Sequence, residues 1–165
     1  MRAGRIPAWI SLTLMVVLLC DGACSNTDSP TTNPVQSLEL NQFADLVTAE
    51  TFTGLVVVFA TWCSPCRHEL PDVAEVYRNK PSQQIQIIAV SVDDEGPAPV
   101  QRLVNKLQLP FPVYHVGPAL ISALRIVGVP TLLVMNKGKL VESSPGQQNA
   151  RALLAKINKL DGLGQ

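Results

Sequence analysis

Cysteine is scarce in the part of this chain that can fold. Of four in 165 residues, Cys20 and Cys24 fall near the N-terminus, which leaves only Cys63 and Cys66 for the body. No pair remains for a structural disulfide, and the one bridge available is the short kind used in exchange. Charge of either sign is not in excess. The 13 lysines and arginines balance 13 aspartates and glutamates, which excludes the broad basic face of a nucleic-acid binder. A structural zinc site wants four ligands, and the two cysteines with His68 and His115 offer no second pair. Haem attachment needs histidine directly after the second cysteine, where Arg67 stands. No internal repeat is visible. A chain of this length holds one domain, with room for a tail.

A long apolar run is missing too. Residues 1–23 carry Arg2 and Arg5, then an apolar stretch between Pro7 and Asp21. It falls short of the roughly 18 residues that suggest a membrane span, and it fits a signal peptide. Gly22-Ala23-Cys24 places small residues before a cysteine and resembles the bacterial lipoprotein signal, which implies lipidation of Cys24. Asp21 and Cys20 depart from that pattern, and a retained N-terminal anchor is the alternative. Residues 24–35 then read as a polar tether too poor in apolar side chains to fold.

What is present is organised around one stretch. Residues 55–60, Leu-Val-Val-Val-Phe-Ala, form a continuous apolar run that reads as a strand buried on both faces. Cys63 and Cys66 follow in C-x-x-C spacing, and beyond them Cys66, Leu70, Val73 and Tyr77 recur at helical intervals. Cys63 therefore lies at the mouth of a helix, where unpaired N–H groups and the helix dipole favour an anion. Such surroundings lower a thiol pKa from about 8.5 toward neutrality. Cys63 is expected to face solvent and attack. Cys66, one turn later on the core-facing stripe, is expected to resolve the mixed disulfide. Pro65 suits a first helical turn. Glu69 lies on the edge of that stripe. A half-buried carboxyl there would have a raised pKa and could trade a proton with the thiols, although a lone helix glutamate reads more simply as a solvated one.

The rest of the body, 36–161, reads as alternating elements, with 162–165 as a tail. A short edge strand at 38–40 leads to a helix capped by Asn41 and running through Phe43, Leu46 and Val47. Further strands are expected at 84–92 and 129–135, helices at 97–107 and 118–127, and an extended segment at 109–113. Asp93-Asp94-Glu95 reads as a solvated loop. Residues 136–139 make a hairpin turn, and an amphipathic helix at 149–160 closes the chain. This order gives an α/β fold, a three-layer α/β/α sandwich around a mixed sheet.

Trp62-Cys63-Ser64-Pro65-Cys66, trailed by Glu69 and Pro71, and the distant Gly128-Val129-Pro130-Thr131 resemble the thioredoxin superfamily. The longer pattern is similar to its cell-envelope branch, the TlpA/ResA-like thiol–disulfide oxidoreductases, over about 38–160. The resemblance implies a thioredoxin fold and a cis peptide bond before Pro130, which faces the cysteines and, with Val129 and Trp62, contacts substrate. It implies a functional Glu69, since Val57 stands where thioredoxin itself carries a buried acid. It implies a helix-kinking role for Pro71 and no cofactor. The implied partners are disulfide-containing or dithiol client proteins, in some relatives during cytochrome c maturation, and a membrane electron donor. The implied place is the periplasmic side of a bacterial membrane, attached through the N-terminus. Reduction is the expected direction, with an oxidase or isomerase on the same site as the alternative. A copper-binding module using His115 as third ligand is the alternative from another class. Thr61-Trp62-Cys63 does not match a peroxiredoxin site.

Overall fold

The computed structural model describes residues 33–163. The expected signal peptide, Cys20, Cys24 and most of the tether lie outside the described residues. The element order is β1 (Gln36–Ser37), α1 (Leu40–Thr48), β2 (Gly54–Phe59), α2 (Ser64–Asn79), β3 (Gln86–Ser91), α3 (Pro97–Leu107), β4 (Val113–His115), α4 (Ala119–Leu124), β5 (Thr131–Asn136), β6 (Lys139–Pro145) and α5 (Ala150–Leu163). No helix among the described residues is long and apolar enough to cross a membrane.

The six strands form one mixed sheet in the order β1-β4-β3-β2-β5-β6. The strand β2 lies near its centre, parallel to β3 on one side and antiparallel to β5 on the other. All six of its residues are buried, which requires cover on both sheet faces and explains why its sequence does not alternate. Each buried valine or leucine there contributes about 1.5–3 kcal/mol over an exposed one. Gly54 has a separate reason to be small. A Cβ at that position would lie 1.9 Å from the Gln86 carbonyl oxygen of β3.

The connection β1-α1-β2 crosses the sheet in one direction, and β2-α2-β3 returns in the other. Right-handed crossovers therefore place α1 and α2 on opposite faces. Helix α2 packs against α5, and near its C-terminus Arg78 donates to the Gln108 carbonyl just past α3. Tyr77 meets Phe111 edge-on at 5.8 Å. Phe43, Phe52, Leu55, Leu70, Leu132 and Ile157 are among the largest core side chains, all essentially inaccessible.

Several boundaries differ from expectation for identifiable reasons. The edge strand is Gln36–Ser37 rather than 38–40, because the Glu39 N–H donates to the Gln42 side chain at 2.8 Å and starts α1 at Leu40. Asn41 is thus inside the helix rather than its cap. Helix α4 stops at Leu124, short of 127, where Arg125 turns left-handed at φ 53° and its N–H closes back on Ile121 and Ser122 carbonyls. The β5–β6 hairpin turns through Lys137 and Gly138, both at positive φ, as a two-residue turn between antiparallel strands requires.

Candidate active site

The turn that carries the first cysteine is built by the end of β2. Beyond Phe59 the chain bends through 60–63, closed by the Cys63 N–H donating to the Ala60 carbonyl at 3.2 Å. Helix α2 starts at once. Ser64 and Pro65 occupy its first turn, and Cys63 is its N-cap. Cys63 and Cys66 are joined in a disulfide with Cα atoms 5.3 Å apart. The Cys66 N–H points at the Cys63 sulfur from 3.2 Å, so a donor is in place for negative charge at that atom once the bond is reduced.

The pair is nearly closed to solvent, Cys63 at 5% exposure and Cys66 at 1%. Cys63 therefore does not face solvent openly, contrary to expectation. What stands out into water is Trp62, at 64% exposure, together with Val127 at 92%. Trp62 is at the surface, not in the core, because the turn directs it away from the sheet.

The segment before β5 meets the cysteines. The Val129–Pro130 peptide bond is cis, and the Val129 carbonyl oxygen lies 3.6 Å from the Cys63 sulfur. That sulfur has no hydrogen in the disulfide, so this is a contact that becomes a hydrogen bond only if Cys63 is a thiol. Thr131 donates to the Gly128 carbonyl at 2.7 Å, and the Gly146 N–H donates to the Pro130 carbonyl at 2.8 Å. These two bonds fix the segment at both ends.

Glu69 lies one turn past Cys66 on α2 and is wholly buried rather than half-buried. Neither carboxyl oxygen has a hydrogen-bond partner among the described residues. Burial is the main cause that pushes its pKa up to about 7. The Gln148 backbone N–H opposes the rise without reaching hydrogen-bond geometry, and the Asp72 charge adds to it. A carboxyl in this state is poised between acid and base near neutrality. Pro71 lies on the exposed side of α2, inside the helix. Val57, on β2, is buried and apolar.

One cluster at the site was misread in the sequence. Asp93 is not part of a solvated loop. Its exposure is 2%, and its carboxylate accepts from the Thr61 N–H, the Thr61 hydroxyl and the Ser91 hydroxyl. Thr61 and Asp93 each fall two residues past Phe59 and Ser91, which are paired in the β2–β3 register. His115 is engaged nearby, its Nε2 at 2.9 Å from the Asp93 carbonyl oxygen. A carbonyl only accepts, so Nε2 carries the proton. No group of three or more His, Cys, Asp or Glu side chains gathers as a ligand set among the described residues, so His115 does not join the cysteines as the copper reading requires. His68 is exposed on α2.

Residues 32–143 match the AhpC/TSA family. The chain belongs to that family. Its AhpC/TSA segment contains the cysteine pair, Glu69, Asp93 and Pro130, while α5 lies beyond it. The chain is 33% identical over 104 residues to thiol-disulfide oxidoreductase ResA of Bacillus thuringiensis, a match that takes in 62% of this chain and 60% of that relative. The matched stretch is thus less than two thirds of the relative's length. Among solved structures, StoA from Bacillus subtilis superposes with a TM-score of 0.59 at 23% identity, over 64% of this chain and 82% of that one. A thiol:disulfide interchange protein of Chlorobium tepidum gives 0.60 at 23% identity, over 71% and 83%. The fold is that of the thioredoxin-like proteins, as the resemblance implied.

Proposed function

We propose that this AhpC/TSA-family chain is an exported thiol–disulfide oxidoreductase that reduces disulfides in client proteins through Cys63 and Cys66. The observation that carries the reading is the Cys63–Cys66 disulfide at the N-terminus of α2, with the Cys66 N–H on the Cys63 sulfur and the Val129 carbonyl beside it. The similarity to the thiol-disulfide oxidoreductase ResA supports the same reaction class.

The exchange proceeds in two displacements. The Cys63 thiolate attacks one sulfur of a client disulfide, forming a mixed disulfide and expelling the other client sulfur as thiolate. The Cys66 thiol gives its proton to the Glu69 carboxylate and attacks the Cys63 sulfur. The client leaves with two thiols, having gained two electrons, and the Cys63–Cys66 disulfide is left behind. Glu69 returns its proton to one departing thiolate, and solvent supplies the other with the proton that Cys63 released on ionising. Trp62, Val129 and Pro130 supply the surface on which client backbone rests, and Val127 extends its apolar part. No cofactor takes part.

Recharging requires a dithiol donor, and a membrane protein supplies it. The N-terminal pattern supports export, with Cys24 lipidated and residues 24–35 tethering the domain on the periplasmic face of a bacterial membrane. Disulfide-bearing precursors of cytochrome c are a client class that fits the resemblance. The test is stoichiometric. The reduced protein should reduce a model disulfide peptide once per molecule, and a Cys63→Ser protein should not. Full activity in that variant would sink the mechanism.

A further inference from the structure

The groups beneath the 60–63 turn point to a function for Asp93, on the reading that Cys63 is the attacking thiol. Thr61 is the first residue inside that turn, two before Cys63, and all its polar groups are held. Its N–H lies 3.1 Å from both Asp93 carboxylate oxygens, and its hydroxyl donates to Asp93 Oδ1 at 2.5 Å. Its carbonyl accepts from Arg67 Nη1 at 2.7 Å. Asp93 is itself fixed. Its carboxylate accepts from the Ser91 hydroxyl at 2.5 Å, its N–H donates to that same Ser91 oxygen at 3.0 Å, and His115 holds its carbonyl.

A buried carboxylate is costly unless its lone pairs are filled, and hydrogen bonds to an ionised group are the strong ones. Here the donors come from the turn and from the end of β3. The charge is therefore spent on tying the turn to the neighbouring strand. The same turn determines where Cys63 caps α2. We propose that Asp93 is a positioning residue that, through Thr61, holds the Cys63 sulfur on the Cys66 N–H and so sets how much thiolate the reduced protein presents. Among the described residues, the charged or titratable side chains around this turn and its cysteines are Asp93 after β3, Arg67 and Glu69 on α2 and His115 on β4. Of these, Asp93 binds Thr61 through its side chain on the sheet side, and Glu69 is unchanged in every variant tested. Its direct electrostatic effect on Cys63 runs the other way, since a negative charge nearby disfavours a thiolate. The two effects can therefore be separated by their sign.

The test is the pH–rate profile for iodoacetamide alkylation of Cys63 in the reduced full-length protein, followed by mass spectrometry of the Cys63 peptide. Thr61→Val keeps the shape and the Asp93 charge but removes the hydroxyl, and Thr61→Ser restores it. The Val variant is expected to alkylate about tenfold more slowly below neutrality, because a thiol titrating one pH unit higher presents a tenfold smaller thiolate fraction. The Ser variant is expected to regain the wild-type rate. Asp93→Asn is expected to slow alkylation as well, although loss of charge alone would speed it. A Val variant with a lower melting temperature and an unchanged profile would leave Asp93 a structural tie only and overturn the proposal. So would faster alkylation in Asp93→Asn. If wild-type Cys63 titrates like a free thiol, near 8.5, both this proposal and the reading of Cys63 as attacker fail. A lowered wild-type titration shared by every variant overturns the positioning role alone.

Discussion

Glu69→Gln is the substitution whose effect can be worked furthest from the structure. The Glu69 carboxyl is fully buried, both oxygens lack partners among the described residues, and its pKa is raised from 4.5 to about 7. In the unfolded chain it titrates near its ordinary value. Between those two values the native protein holds a proton that the unfolded chain has already released. Native stability therefore falls as pH rises through this window, by roughly 1.4 kcal/mol per pH unit. The contribution is fully present below about pH 4.5 and fully lost above about pH 7, a change of about 3 kcal/mol in all. Glutamine cannot ionise, so the variant lacks this term while sharing every other titration. Urea unfolding of the oxidised proteins at pH 4.5 and at pH 8 should show the difference between variant and wild type moving by about 3 kcal/mol in favour of the variant at the higher pH. Parallel stability curves across that range would refute the claim that Glu69 is a buried, neutral acid near pH 6. In the same variant the mixed disulfide should resolve more slowly at neutral pH, since Cys66 has lost its proton acceptor, by about 10²-fold or more.

Three further outcomes follow from particular contacts. Cys66→Ser should trap a Cys63–client mixed disulfide stable enough to isolate on a non-reducing gel, and none should form in Cys63→Ser. Gly54→Ala should destabilise the fold by about 3 kcal/mol or more, because its Cβ would sit 1.9 Å from the Gln86 carbonyl oxygen. Thermal melting of that variant checks it, and an unchanged midpoint would contradict the β2–β3 approach described. Asn149→Ala should cost about 1 kcal/mol by leaving the Ala152 N–H without its 3.0 Å acceptor at the start of α5, measured by urea unfolding at constant m-value.

The centre of the fold and its cysteine pair were legible because their signals are local. The run at 55–60, the C-x-x-C spacing and the helical recurrence of Leu70 and Val73 all lie within one strand–turn–helix. Asn136 to Lys139 carried its own turn chemistry in the same way. The parts that were not legible depend on distant partners. Glu69 is enclosed by elements far along the chain, with α5 packed on α2 and the Gln148 backbone near its carboxyl, and no spacing within the helix reports that. Asp93 looked like one member of a charge run, Asp-Asp-Glu, although only Asp94 and Glu95 are exposed. The usable signal was a comparison of two runs. Had 55–60 and 87–92 been aligned as neighbouring parallel strands, Thr61 and Asp93 would have fallen side by side at their ends, a hydroxyl facing a carboxylate. Trp62 could not be placed from sequence for a related reason. Whether an aromatic beside a turn points in or out depends on how the turn is tied down, and here the tie runs from Thr61 to Asp93, 32 residues away. The N-terminal reading, Cys24 included, concerns residues outside those described.

The most direct test of the central claim is the equilibrium reduction potential of the Cys63–Cys66 pair in graded thiol buffers. Disulfide reduction predicts a single two-electron transition at a low value, close to the roughly −270 mV of thioredoxin. A value near −120 mV would mean that the protein donates disulfides instead, and no two-electron transition at all would contradict exchange at this site.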